Sequence, residues 1–193
     1  MKQPKILILG ANGQVGRQLY RCLSPLGQII AATRNGELGL RLDLLDLKRV
    51  LSVLDELKPD FIVNAAAYTA VDQAEEEPGL AHRLNAGLPS LLAEWTCQRR
   101  VPVIHFSTDY VFDGDKQGAY TEEDTPNPIN VYGRSKMAGD IVLLENARAP
   151  FIFRVSWIYA VRGNNFLLTM KQLMQERFVL RVVDDQWGAP TWS

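Results

Sequence analysis

The sequence is poor in the residues that disulfide frameworks and metal centres require. Its 193 residues include two cysteines and two histidines. Cys22 and Cys97 are too few for a disulfide framework or a metal site, and we expect both to be buried or half-buried thiols. Because no acid cluster accompanies the two histidines, we also expect no metal ligation by them.

The chain lacks an excess of charge of either sign, and it lacks a long apolar run. Lysine and arginine number 21 against 22 aspartates and glutamates, for a net charge of −1. This balance gives no general reason to expect nucleic acid or an anionic membrane as a partner. No window approaches ~18 apolar residues, and no signal-peptide core follows Met1. We therefore expect a soluble, cytoplasmic protein.

What the sequence does contain is a regular alternation of short apolar runs and helical stretches. Strands are expected at 6–9, 29–32, 61–63, 103–106 and 151–155, and helices at 14–23, 46–57, 79–99 and 131–145. Continuous apolar strands are typical of a parallel sheet buried on both faces. The alternation therefore predicts an α/β fold, a Rossmann-like doubly wound parallel sheet with its ligand crevice at the carboxyl ends of the strands.

The pattern is less regular in two segments. Residues 109–130 are rich in glycine, proline and aspartate and predict a long loop that is either functional or disordered. After residue 155 we expect a helix near 164–177 and a strand near 179–183.

A glycine-rich loop follows the first strand and opens the first helix. Gly10, Gly13 and Gly16 have the spacing G-x-x-G-x-x-G. Gly10 permits a tight turn, Gly13 lets the backbone approach a pyrophosphate, and Gly16 lets the helix pack close to the strand. Free N–H groups at the helix start favour phosphate, so we predict a dinucleotide site here.

The second strand should end near the ribose of that dinucleotide. It ends in Ala32-Thr33-Arg34, without the acid that NAD-preferring sites usually place there. Thr33 and Arg34 can bind a 2′-phosphate instead, Arg34 through charge-assisted hydrogen bonds. The sequence therefore favours NADPH, with NADH as an alternative.

Tyr132 and Lys136 have the spacing Y-x-x-x-K, which places both on one face of a helix. An ammonium beside a phenol stabilises the phenolate, so we expect Lys136 to lower the pKa of Tyr132. Ser107 and Thr108 stand at the carboxyl end of the fourth strand, where either hydroxyl could donate to a substrate oxygen beside Tyr132. These signals all fall on one predicted crevice.

Together these motifs resemble the extended short-chain dehydrogenase/reductases, and among them the dTDP-4-dehydrorhamnose reductases. The segments that carry the resemblance are 63–72, 105–114, 130–133, 154–159, 163–166 and 185–191. The resemblance implies reduction of the C4 ketone of dTDP-4-dehydro-6-deoxy-L-mannose to dTDP-L-rhamnose, in the synthesis of a surface polysaccharide precursor.

The resemblance also implies a role for individual residues. Tyr132 would be the proton donor, Lys136 its activator and ribose anchor, and Thr108 the hydroxyl beside the carbonyl. The nucleotide sugar would contact Thr69, Thr108, Asp109, Tyr110 and Trp157. Asn85 matches a position near the site in related enzymes. The cofactor would contact Gly10, Asn12, Gly13, Gln14, Val15, Gly16, Thr33, Arg34, Asp43, Leu44, Ala65, Ala66, Ala67, Tyr68, Tyr132 and Lys136.

The sequence departs from the family in two respects. Some members bind Mg²⁺ between subunits through a glutamate where this chain has Gln18, whose amide lacks the charge that favours Mg²⁺. We expect no such metal or metal-linked dimer here, although a homodimer stays open. The family chain also continues for about another hundred residues, as the resemblance implies. We therefore expect residues 1–160 to form an NAD(P)-binding Rossmann domain and 161–193 to begin a substrate-binding region that is largely missing.

Two alternatives stay open. The chain could belong to a different nucleotide-sugar reductase or epimerase, because sugar choice depends largely on the expected missing region. It could also be a non-catalytic, NADP-binding regulatory subunit. The presence of both Tyr132 and Lys136 argues mildly against the second alternative, since a subunit without catalysis does not need both.

Overall fold

The computed structural model describes residues 3–193 and contains a central sheet of six parallel strands. The strands are β1 (Lys5–Leu9), β2 (Gln28–Thr33), β3 (Gly39–Arg41), β4 (Phe61–Asn64), β5 (Val103–Thr108) and β6 (Pro150–Val155). Their order in the sheet is β3-β2-β1-β4-β5-β6. The strand order reverses between β1 and β4, which is where a doubly wound sheet opens its ligand crevice. The predicted fold class is confirmed.

Helices cover both faces of this sheet. They are α1 (Gln14–Leu23), α2 (Leu47–Leu57), α3 (Val71–Glu76), α4 (Pro78–His82), α5 (Leu88–Arg99), α6 (Val131–Asn146) and α7 (Phe166–Glu176). A π-helical turn at Arg83–Gly87 and a 3₁₀ turn at Asp109–Val111 complete the helical elements of the described residues. Asp46 caps α2, because its side chain accepts from the N–H of Arg49 over 3.0 Å.

The single helix expected at 79–99 is interrupted. It consists of α4, the π-helical turn and α5 in succession. Pro89 lies in the first turn of α5 and has no N–H for the carbonyl of Asn85, four residues earlier. Around this point the helical hydrogen bonds span five residues instead of four. π-helical turns of this kind often lie at functional sites.

The core has a layer on each face of the sheet. Alternation along β1 directs Leu7 and Leu9 into the larger layer, which α2, α5 and α6 cover. Ile6 and Ile8 point into the smaller layer against α1. Burial on both faces is the reason for the unbroken apolar run in β1.

Some expectations about single elements and residues are wrong. Residues 179–183 form no strand, and Val179 is 75% exposed, since no neighbouring strand pairs with this valine-rich run. The strands of this region are instead β7 (Ile158–Tyr159) and β8 (Thr191–Trp192), which pair in parallel. Cys22 and Cys97 are exposed rather than buried, because each lies on the solvent side of its helix. The three-residue strand β3 was not expected.

Among residues 3–193, no helix is both long enough and apolar enough to cross a membrane.

Candidate active site

A crevice of about 700 Å³ opens at the carboxyl ends of β1, β2, β4 and β5. This volume lies within the range of small-molecule and cofactor sites. The residues of the predicted site that line it are Gly10, Asn12, Gly13, Gln14, Val15, Thr33, Arg34, Asp43, Leu44, Ala65, Ala66, Ala67, Thr69, Tyr132 and Lys136. The structure thus brings residues from between Gly10 and Asn164 together around one cavity.

The glycine-rich loop forms the floor of the crevice at the start of α1. Gly10 has a φ of 76°, and a Cβ on it would lie 2.8 Å from Cα of Ala66. A Cβ on Gly16 would meet the carbonyl oxygen of Gly10, so Gly16 allows close packing and does not itself line the crevice. Within the described residues, no side chain caps the first turn of α1 and no acid lies in it. The N–H groups of this turn are therefore available to an anion.

The far end of the crevice carries the side chains expected at the adenosine ribose. The Thr33 hydroxyl accepts from the N–H of Gly36 over 3.0 Å and is buried. Arg34 is exposed, and its side chain makes no hydrogen bond or ion pair with any other residue in the range 3–193. Asp43 is engaged in a turn, in which its Oδ1 accepts from the N–H of Leu45 over 3.0 Å. The Arg34 guanidinium can therefore offer its positive charge to a ligand at this end.

Tyr132 lies on the first turn of α6 and is buried, with 8% of its surface exposed. Burial raises the pKa of Tyr132 to about 12, and the neighbouring Thr108 hydroxyl acts in the opposite direction. The expectation that Lys136 lowers this pKa is therefore wrong for this structure. The physical reason is that burial dominates this pKa, while the lysine nitrogen contacts the Phe106 carbonyl and His105. A phenol with this pKa keeps its proton at neutral pH and can act as an acid.

Lys136 lies one turn after Tyr132 and is buried, although it lines the crevice. Its Nζ donates to the carbonyl oxygen of Phe106 over 2.6 Å and lies 3.1 Å from Nε2 of His105. Burial lowers the pKa of Lys136 to about 8, and the negative charge of Asp140 acts in the opposite direction. The nitrogen has a third N–H position, which is free to serve a group in the crevice.

Asn85 lies in the π-helical turn and joins three segments of the site. Its Oδ1 accepts from the N–H of Tyr68 over 2.8 Å, and its Nδ2 donates to the Tyr68 carbonyl oxygen and to Oγ of Ser135. Tyr68 does not line the crevice, because its phenol donates to Oε2 of Glu77 over 2.7 Å. Asn85 therefore connects the loop after β4 to the helix that carries Tyr132.

The residues expected to face the sugar are not all brought to the same cavity. Thr69 lines the crevice, whereas Asp109 lines a second, open depression beside Phe112 and Arg154. The buried Thr108 hydroxyl donates to Oδ1 of Asp109 over 3.1 Å, and burial raises the pKa of Asp109. Thr108 itself lines neither cavity.

The two aromatic residues of that set lie at the rim. The Tyr110 ring packs edge-on against the Tyr132 ring, with centroids 5.5 Å apart. Trp157 is 48% exposed, lines neither cavity and has a φ of 44°, in the left-handed region. Its ring lies against Gly188, where a Cβ would be 2.6 Å from the indole. The C-terminal segment therefore covers one face of Trp157.

The residues present fit a nicotinamide dinucleotide on structural grounds. The cradle at Gly10 and Gly13, the uncapped first turn of α1 and the exposed guanidinium of Arg34 would receive the phosphates. Tyr132 and Lys136 line the same crevice and would stand beside the nicotinamide ribose. No group of three or more His, Cys, Asp or Glu side chains in the described range could hold a metal ion.

The sequence motifs did not identify the buried polar groups that support Lys136. They are Asn64, His105 and Asp140, all fully buried. A signal was present, because Asp140 follows Lys136 by four residues on one helix face, and His105 and Ser107 alternate along β5. The motifs also gave no sign of Glu75, whose Oε1 accepts from the N–H of Val131 at the start of α6 over 2.7 Å.

Comparisons with known proteins show clear relatives. A family model described as "RmlD substrate binding domain" matches residues 4–193. A dTDP-4-dehydrorhamnose reductase of Salmonella typhimurium is 46% identical over 186 residues, which cover 96% of this chain and 62% of the relative. A dTDP-4-keto-6-deoxy-D-glucose reductase of Streptomyces niveus is 40% identical over 189 residues, covering 97% of this chain and 64% of the relative.

A solved structure points to the same family as these sequence matches. The crystal structure of a dTDP-4-dehydrorhamnose reductase from Bacillus anthracis, in complex with NADP, matches with a TM-score of 0.91 and 41% identity. The match covers 100% of this chain and 66% of the crystallised one. The chain spans about six tenths of the length of the curated relatives it matches.

Proposed function

The chain belongs to the RmlD substrate-binding-domain family, and from this we propose that it carries the cofactor site and the proton donor of an NADPH-dependent dTDP-4-dehydrorhamnose reductase. The observation that carries the proposal is the convergence of the glycine loop, Arg34, Tyr132 and Lys136 on one crevice. The relatives named for this reaction and the NADP-bound structural match support it. The product, dTDP-L-rhamnose, would serve the synthesis of a surface polysaccharide.

The binding step uses the two charged ends of the crevice. The first turn of α1 and Gly13 would receive the pyrophosphate on backbone N–H groups. Arg34 would pair with a 2′-phosphate, which NADPH has and NADH lacks. Lys136 would donate its third N–H to the nicotinamide ribose, since its other two contacts are to Phe106 and His105.

The chemical step requires a hydride and a proton. NADPH would supply the hydride, which is delivered to the C4 carbonyl of the sugar. Tyr132 holds its proton at neutral pH and would transfer it to the developing alkoxide. Thr108, whose hydroxyl donates to Oδ1 of Asp109 at the carboxyl end of β5, would orient the carbonyl oxygen. Holding the ketone and the cofactor in one crevice makes the transfer distance short.

The C-terminal segment would begin the sugar site. We propose that residues 161–193 start a substrate-binding region and that residues 1–160 form the cofactor domain. The second depression supports this assignment, because it lies between Asp109 on the cofactor side and Gly188 on the C-terminal side.

A second candidate is a reductase of the related ketone dTDP-4-keto-6-deoxy-D-glucose. The 40% identity to the Streptomyces enzyme favours it. The two reactions use the same cofactor half and the same proton donor, and they differ in the configuration of the sugar. Product analysis separates them.

The deciding experiment follows NADPH oxidation by absorbance with each of the two dTDP-sugars, and with NADH in parallel. Turnover with dTDP-L-rhamnose as product supports the first candidate, and turnover of the second sugar alone supports the second. Saturable NADPH binding without turnover would favour a cofactor domain or a regulatory subunit. Absence of NADPH binding would contradict the proposal.

A further inference from the structure

A buried polar cluster lies directly behind Lys136, and the proposed reaction makes no use of it. His105 on β5 is 1% exposed and is enclosed by Asn64 on β4 and by Lys136 and Asp140 on α6. Its Nδ1 lies 3.0 Å from Nδ2 of Asn64, and its Nε2 lies 3.1 Å from Nζ of Lys136. Both ring nitrogens therefore have a partner, as a buried imidazole requires.

The hydrogen bonds define which ring nitrogen carries the proton. The N–H of Ala66 donates to Oδ1 of Asn64 over 3.2 Å, which assigns the Nδ2 side of that amide to His105. An amide nitrogen donates, so Nδ1 of His105 accepts, and the neutral ring carries its proton on Nε2. That proton points at Lys136, and only an uncharged amine has a lone pair to accept it.

A charged Lys136 requires the opposite arrangement. An ammonium has three donors and no acceptor, so Nε2 must then be bare and the proton must move to Nδ1. The Asn64 amide must turn over to accept from Nδ1, which disturbs its bond from Ala66. The charge of Lys136, the tautomer of His105 and the orientation of Asn64 are therefore linked.

Asp140 supplies a negative charge next to the pair formed by His105 and Lys136. Its Oδ2 accepts from Oγ of Ser107 over 2.8 Å and from Nε of Arg154 over 3.3 Å. Its Oδ1 is buried, has no hydrogen-bond partner among residues 3–193, and lies 3.9 Å from Nε2 of His105. Tyr132 on the same helix lines the crevice with Lys136, and the charge of Asp109 acts on the pKa of that tyrosine.

We propose that His105 is a positioning residue for Lys136: the imidazole holds the lysine nitrogen at the Phe106 carbonyl, and its tautomer follows the charge of that nitrogen. The consequence for catalysis rests on the proposed function, because Lys136 is there the ribose anchor. Asp140 favours the charged lysine, and Asn64 together with Ala66 favours the neutral one. The pair thereby controls whether the N–H that Lys136 directs into the crevice belongs to a charged or an uncharged nitrogen.

The test is a two-bond ¹H–¹⁵N spectrum of the chain labelled at histidine, recorded between about pH 6 and pH 10. The sequence has only two histidines, and the exposed His82 is an internal reference. We expect the His105 signals to change from the Nδ1–H to the Nε2–H pattern with a midpoint near 8, the pKa of Lys136. Burial keeps the pKa of His105 itself well below its usual value, so the ring stays neutral throughout.

Two variants identify the cause of the change. In Lys136→Met the transition should be lost, and in Asp140→Asn it should move to lower pH, because the charge that stabilises the ammonium is gone. A His105 tautomer that stays constant in the wild type, or an unaltered transition in Lys136→Met, overturns the proposal. The wild-type titration decides the matter even where a variant fails to fold.

NADPH binding, measured on the same samples, separates this inference from the proposed function. We expect affinity to fall by about tenfold as His105 passes to the Nε2–H form, because the N–H that Lys136 offers to the ligand then comes from an uncharged nitrogen instead of a charged one. Binding of NADPH with a constant tautomer overturns the inference and leaves the function intact. A titrating tautomer without any NADPH binding overturns the function and leaves the His105–Lys136 pair intact.

Discussion

Gln14 and Asn165 lie 151 positions apart in the sequence, and Nδ2 of Asn165 donates to Oε1 of Gln14 over 2.9 Å. The Gln14 amide in turn donates to the carbonyl oxygen of Asn164 over 3.2 Å. Gln14 is the first residue of α1, where the proposed pyrophosphate would bind. The segment after β7 is thereby fastened to the phosphate end of the crevice.

The Asn165→Asp variant tests this connection. A carboxylate still caps α7, because its oxygen accepts from the N–H of Leu168, but it cannot donate to Gln14 and it adds a negative charge near the proposed phosphates. We expect the Kd for NADPH to rise about tenfold, or ~1.4 kcal/mol. Fluorescence titration measures it, with Asn146→Asp at the far end of α6 as the matched control. Equal affinities in the two variants would contradict the prediction.

Tyr132→Phe removes the proposed proton donor and keeps the ring. Turnover of the sugar ketone should fall by at least ~10²-fold, the usual contribution of a general acid. NADPH affinity should stay within about twofold, since the substitution keeps the ring that lines the crevice. Tyr20→Phe on the outer face of α1 is the control. Undiminished turnover in Tyr132→Phe would refute the assignment of the proton donor.

Arg34→Ala tests the choice of cofactor. Loss of a charge-assisted contact to a 2′-phosphate should weaken NADPH by about 1.5–3 kcal/mol, or roughly 10- to 150-fold. NADH, which lacks this phosphate, should be affected little. Parallel titrations with both nucleotides measure the ratio, and Arg181→Ala in the exposed C-terminal segment is the control. Equal losses of affinity for NADPH and NADH would show that Arg34 does not bind the 2′-phosphate.

The depressed pKa of Lys136 predicts a pH dependence of stability. The pKa is about 8 in the folded chain against an ordinary value of 10.5. Between these two values the unfolded chain binds more protons, so the free energy of unfolding should rise with pH by up to ~1.4 kcal/mol per unit. Below pH 8 both states are protonated, and this group adds no slope. Tyr68 and Tyr132, raised from 10.0 to about 12, lower stability only above pH 10.

Urea unfolding between about pH 8 and pH 9.5 measures this slope. In Lys136→Met the contribution of this lysine to the slope should be absent. Every other ionisable group, the exposed Cys22 and Cys97 included, is the same in both chains. A wild-type free energy of unfolding that falls across this range would contradict the prediction.

The sequence was sufficient for most of the fold because the strands are buried on both faces. An unbroken apolar run such as 6–9, followed at once by a helical stretch, is typical of a buried parallel strand. The same reasoning failed at 179–183, where a run rich in valine has no strand to pair with. It also missed β3, whose three residues are too few to form a pattern.

The parts of the candidate site that could be predicted are those in which the chemistry requires residues at a fixed spacing in the sequence. The glycines of the loop and the pair of Tyr132 and Lys136 lie close in sequence, so the pattern itself predicts the geometry. The contacts of Lys136 could not be derived in this way. His105 and Asn64 come from two other strands, and only the assembled sheet places them behind the lysine. The predicted direction of the Tyr132 pKa shift was wrong for this reason.

Gly10→Ala tests the cradle at the phosphate loop. Alanine at a φ of 76° is strained by about 1–2 kcal/mol, and its Cβ would lie 2.8 Å from Cα of Ala66. Overpacking against a strand-end backbone adds about 1–3 kcal/mol. We expect unfolding in urea to be easier by about 2–5 kcal/mol and NADPH binding to be lost.

Gly114→Ala is the matched control for that variant. Gly114 has a φ of 85° and no atom within 4 Å of a built Cβ, so the substitution causes the backbone strain without the clash. Its stability should fall by about 1–2 kcal/mol, and its NADPH affinity should be unchanged. If the two variants were equally destabilised and both still bound NADPH, the close approach of Gly10 to Ala66 would have no part in forming the cofactor site.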